Sequence, residues 1–116
     1  MYAQTTLIRT PLGAMVKMRE IVRRDYLPKI RVRPGFVSAF LMEQVDDPDR
    51  AELIILWENQ AAVEHFNSTG MLEATIHGLA SRLPGVQIQR QGSVLTVFSG
   101  APVEELEETH PVLAPL

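Results

Sequence analysis

The stretch ELIILWENQAAVEHFNSTGMLEATIHGLASRLPG, residues 52–85, changes its hydrophobic period half-way, and that change decides the fold. Leu53-Ile54-Ile55-Leu56-Trp57 is an apolar run too short for a helix and rich in strand formers. Asn59 is suited to cap a helix, and the spacing predicts a short one over 61–67. Ser68, Thr69 and Gly70 interrupt it, and Ser68 or Thr69 can cap the next. Leu72, Ile76, Leu79 and Leu83 then share one helical face, which predicts a helix over 71–83 that stops at Pro84-Gly85. A strand that runs directly into helices implies one sheet, one helical layer and a space between them.

The flanks extend this plan. Loose alternation predicts a first strand over 3–10, broken by Pro11-Leu12-Gly13. Met15, Met18, Val22 and Tyr26 fall on one helical face with Ile21 beside them, while Lys17, Glu20, Arg23 and Arg24 lie mostly on the other. Leu27-Pro28 should end or kink that helix, since proline lacks an amide proton and crowds the preceding turn. A basic loop, Arg31 to Gly35, leads to a strand over 36–45. Strict alternation would put Phe36, Ser38, Phe40 and Met42 on one face and Val37, Ala39, Leu41 and Val45 on the other. The turn Asp46-Asp47-Pro48-Asp49-Arg50 joins this strand to 53–57 as a hairpin. A fourth strand over 86–98 contains Gly92-Ser93, where a bulge or bend is expected. The order strand, helix, two strands, helix, strand is that of the ferredoxin-like α+β sandwich with an antiparallel sheet. Both faces of the hairpin strands are apolar, yet one helical layer covers only one face. A homodimer with its sheets packed face to face is therefore expected.

At 116 residues, 46% hydrophobic and 22% charged, the chain has the make-up of one small globular domain. Residues 1–99 would form it, and 100–116 a proline-containing acidic tail. That tail is either solvated or an arm that lays its leucines on the dimer partner. A net charge of −3 argues against nucleic acid as a partner. No apolar run is long enough to span a membrane, and the first ten residues do not read as a signal peptide. Cysteine is absent, which removes disulfides, thiolate nucleophiles and cysteine metal sites. A cytoplasmic location is expected.

Three pieces, Pro34-Gly35-Phe36-Val37-Ser38-Ala39, Trp57-Glu58 before an alanine-rich helix start, and Leu83-Pro84-Gly85, resemble the antibiotic biosynthesis monooxygenase family. The resemblance implies a dimeric α/β barrel whose best-understood members oxidise a hydroxylated aromatic with molecular oxygen, without metal or flavin. It implies a substrate between sheet and helices, with the pocket tryptophan at Trp57. The family's pocket asparagine falls on Leu53, its tyrosine on Val63 and its arginine on His77. For the haem-degrading members, the tryptophan position falls on Phe66 and the axial histidine position on Ile76, one residue before His77.

Trp57 would stack on a flat ligand and orient an oxygen through its indole proton, or simply fill the core. His77 is the candidate general base, able to take a phenolic proton near neutral pH; the alternative is an exposed helix histidine paired with Glu73. His65 would flank the pocket mouth or face solvent, and Phe66 would be core. No metal-ligand spacing, phosphate loop or nucleophile motif is present. The expected function is a cofactor-independent monooxygenase acting on a quinol or other hydroxylated aromatic, with Leu53, Trp57, Val63 and Phe66 about the substrate. The alternative is a non-catalytic dimer that binds a small apolar ligand or serves a structural role.

Overall fold

A computed structural model describes residues 1–98 and 100; apart from Gly100, the expected tail lies outside them. The elements are β1 (Tyr2–Arg9), α1 (Met15–Ile21), a π turn (Val22–Tyr26), α2 (Leu27–Ile30), β2 (Phe36–Glu43), β3 (Arg50–Trp57), α3 (Gln60–Ser68), α4 (Met71–Arg82) and β4 (Gln87–Val94). The four strands form one antiparallel sheet in the order β2-β3-β1-β4. This is the ferredoxin-like arrangement. Among the described residues no helix is long and apolar enough to cross a membrane.

Pro28 does not end its helix. Its missing amide proton leaves the Arg24 carbonyl without the usual donor, and the chain answers with the wider π turn over Val22–Tyr26 before continuing to Ile30. Tyr26, the last residue of that turn, is thereby fixed in the core. Asn59 caps α3 as expected, its Oδ1 accepting from Ala62 N at 2.9 Å. At the head of α4 the cap position is Gly70 rather than Ser68 or Thr69, and Thr69 Oγ1, one residue earlier, accepts from Met71 N at 3.3 Å.

Two strand expectations are corrected. The bulge lies in β2, where the register slips between Phe36 and Ser38, leaving Val37 as the extra residue. Phe36 consequently shares the helix-covered face with Ala39 and Leu41, opposite Trp57, Ile55 and Leu53. Ser38, Phe40 and Met42 lie on the open face. β4 runs without a register shift and ends at Val94. Gly92 serves another purpose: a Cβ there would sit 1.9 Å from the Tyr2 hydroxyl, so the glycine makes room for a ring laid across the strand.

The core lies between the sheet and the helices, with Trp57, Phe66, Met18, Ile30 and Ile55 fully buried. Gly35 sets how closely α3 approaches the sheet. Its φ is +81°, and a Cβ would meet the Ala62 Cβ at 2.5 Å. Gly13 has a similar φ of +76° but open space around it. Gly35→Ala is expected to cost about 2–4 kcal/mol in chemical denaturation, combining left-handed strain with overpacking, whereas Gly13→Ala should cost only the strain, about 1–2 kcal/mol.

Candidate functional site

Four strand residues make the floor of a small cavity under the helices: Thr6 and Ile8 of β1, Leu53 of β3 and Ile88 of β4. They are neighbours by register, Thr6 opposite Leu53 and Ile8 opposite Ile88. Ile21, Val22 and Tyr26 close one side of the roof; Leu72, Thr75, Ile76 and Leu79 of α4 close the other. The cavity measures about 30 Å³. That is roughly one water molecule's share of liquid volume.

The surface exposed to the cavity is apolar, although one of the residues in its wall is Tyr26. Tyr26 is 4% exposed, and its hydroxyl has no hydrogen-bond partner among the described residues. Burial pushes its ionisation well above the ordinary tyrosine range, against the opposing charge of Arg90. The group therefore stays a neutral O–H donor at physiological pH. Thr75 is committed elsewhere, its Oγ1 donating to the Met71 carbonyl at 2.8 Å. No aspartate, glutamate, histidine, lysine or arginine lines the cavity.

Of the residues singled out from the sequence, Leu53 lines this cavity. Trp57, fully buried, packs edge-on against Phe36 at 6.1 Å and tilted against Phe66 at 5.1 Å, with its indole N–H unpartnered. Neither Trp57 nor Phe66 reaches the cavity lining. Val63, buried on α3, borders a separate shallow cleft with Tyr2, Gln4 and Asn67. There Gln4 Nε2 donates to Asn67 Oδ1 at 3.2 Å, while Gln4 Oε1 is buried without a partner. His77 and His65 are both exposed. On α4 it is Ile76 that turns inward, and Glu73 pairs with Arg90 of β4 at 2.9 Å. Trp57 and His77 do not meet in one cavity. Among the described residues no three potential ligands from histidine, cysteine, aspartate and glutamate gather closely enough to hold a metal.

The model of one protein family, described as antibiotic biosynthesis monooxygenase, matches residues 1–78. The chain belongs to the antibiotic biosynthesis monooxygenase family. Solved structures share the fold. A Deinococcus radiodurans protein assigned to the antibiotic biosynthesis monooxygenases superposes with a TM-score of 0.72 at 12% identity, over 88% of this chain and 99% of that one. A Nitrosomonas europaea protein of the same assignment gives 0.62 at 17%, over 85% and 100%. A variant of MhuD with two manganese protoporphyrin IX molecules bound per active site gives 0.68 at 18%, over 87% and 100%. No curated protein matches the sequence. At these identities the likeness speaks for the fold alone.

In the sequence Tyr26 falls on an apolar helical face and is not among the expected site residues. The signal that sets it apart was present: it is the one hydroxylated residue on that face, and it stands two residues before Pro28. Thr6 and Thr75 carried no such signal.

Proposed function

We propose that this chain is a monooxygenase that takes a small hydroxylated aromatic, such as a quinol, between its sheet and helices, needs no cofactor, and works as a homodimer. The observation that carries it is an apolar cavity between sheet and helices with Tyr26 in its wall, the Tyr26 hydroxyl being buried without a partner among the described residues. One oxygen atom enters the ring, the other leaves as water, and the quinol becomes a hydroxyquinone; the substrate supplies all four electrons. The chain's residues exclude water from the oxygen-derived intermediates, and Tyr26, once the wall opens, donates to the ring oxygen of the bound phenolate, holding the electron-rich form that passes electrons to oxygen. With no base in the lining, the phenolic proton leaves to solvent before the ring is enclosed. A ring needs more room than about 30 Å³, so α4 and the π turn part to admit it.

A metalloporphyrin, the ligand of the MhuD variant, is not accommodated by these residues. The α4 position facing the cavity is Ile76, whose side chain has no atom that could ligate a metal.

The absence of a carboxylate or imidazole from the lining favours a second reading, a non-catalytic dimer that stores or carries a small apolar ligand. Oxygen uptake with a panel of hydroquinones separates the two. Substrate-dependent uptake is expected from the parent, with kcat/KM at least about tenfold lower in Tyr26→Phe, since a hydrogen bond to a charged oxygen is worth about 1.5–3 kcal/mol. Ligand binding without uptake would leave the carrier. His77→Ala, altering an exposed side chain, should match the parent; a loss would make His77 the proton acceptor.

The homodimer is supported by the open sheet face. Ala3, Leu7, Ile54, Leu56, Phe40 and Met42 share it by register, and Phe40 and Met42 are 51% and 48% exposed. An apolar face of this kind marks an interaction site.

A further inference from the structure

Outside the cavity, a groove of about 610 Å³ runs between the π turn and α2 on one side and α4 on the other. Groove and cavity have Ile21, Tyr26, Thr75 and Leu79 in common, so these side chains form the partition between solvent and the buried space. The groove is charged where the cavity is not. Its lining holds three cations, Arg24, Lys29 and Arg82, and one anion, Asp25, in a chain whose net charge is −3. Asp25 bonds Arg82 across the groove. Its carboxyl is held below the ordinary carboxylate range first by that hydrogen bond, then by the charges of Arg82, Lys29 and Arg24. The spot thus already stabilises one carboxylate. Arg24 is further engaged by Glu20 at 2.9 Å, whereas Lys29 is exposed and makes no ion pair among the described residues.

We propose that this groove is a head-group subsite and that the ligand is an aromatic acid, its ring passing Tyr26 into the cavity and its carboxylate remaining at Lys29. The proposal rests on the ring occupying the cavity as described above. It narrows the substrate class: a neutral quinol would use only the apolar half of the site, and a carboxylated one uses both. Because Asp25 matches Arg82 and Glu20 matches Arg24, the attraction for an anionic head group centres on Lys29, the groove's cation without an ion pair among the described residues.

Calorimetric titration of the full chain with a hydroxynaphthoic acid and with the matching hydroxynaphthamide tests it. Both carry the ring and the hydroxyl; only the acid carries the charge. The acid should bind the parent about tenfold more tightly than the amide, with the preference shrinking as salt is raised. Lys29→Gln should remove the preference by weakening the acid alone, and Tyr26→Phe should weaken both ligands by the same factor. Equal binding of acid and amide to the parent overturns the head-group subsite and leaves the ring site standing. A Lys29→Gln variant that loses both ligands equally also overturns it. Failure of both compounds to bind the parent overturns the subsite and the ring site together.

Discussion

Trp57→Ala is expected to lower stability by about 3–5 kcal/mol, and Trp57→Phe by about 1 kcal/mol. The first figure follows from complete burial between Phe36 and Phe66, at 6.1 and 5.1 Å. Alanine would leave a hole bounded by the Phe36 and Phe66 rings, which β2 and α3 hold apart. A domain of this size has only about 5–15 kcal/mol of stability, so the alanine variant stands near the edge of folding. The second figure follows from the indole N–H, which has no partner. Phenylalanine gives up no hydrogen bond and removes a buried donor that costs free energy to leave unmade. Chemical denaturation of both variants reads the difference. A phenylalanine variant as unstable as the alanine one would mean that the N–H bonds to something in solution, a water or a ligand, and Trp57 would return to the binding site.

The architecture was legible because it depends on period, and the period changes visibly between Trp57 and Asn59. The exposure of His77 was legible too. Once Leu72, Ile76, Leu79 and Leu83 define a stripe, the next residue along from Ile76 lies about 100° away on the helix. What remained hidden lies below the level of pattern. Gly92 and Val37 illustrate it. A glycine in a strand marks either a bulge or a close approach, and only the position of Tyr2, ninety residues earlier, decides for the second. The true bulge falls on Val37, an ordinary strand residue whose side chain gives no warning, and one slipped residue moves Phe36 to the other face. Tyr26 is the same problem at the site. An apolar stripe does not distinguish a ring that only packs from one whose hydroxyl is buried without a partner among the described residues. That distinction depends on Pro28 and the wider turn it forces, and on which residues of β1, β3 and β4 come to lie beneath.

Phe40→Glu is expected to raise the dimer dissociation constant at least about a hundredfold, taking a stable dimer at micromolar concentration to single subunits in sedimentation velocity. Phe40 stands opposite Ile54 on the open face of the sheet, with Met42 two residues along and Leu56 of β3 beside it. The helices all lie on the other side, so nothing within the described chain covers these side chains. Removing a central aromatic from an interface typically costs 2 kcal/mol or more, and a carboxylate facing its symmetry mate adds repulsion and desolvation. Tenfold per 1.4 kcal/mol then gives the stated shift. The face is not uniformly apolar. β4 presents Gln89, Gln91 and Ser93 on the same side, opposite Leu7, Thr5 and Ala3. The apolar half is therefore the β2–β3–β1 side, and a two-fold axis should pass near Phe40 and Ile54 rather than near β4. Val16→Glu is the control, since Val16 is 62% exposed on α1, in the helical layer, and should leave the dimer intact. Equal effects at Phe40 and Val16 would point to non-specific association. A parent that sediments as a single subunit at micromolar concentration would remove the face-to-face dimer, and the open face would then need another partner.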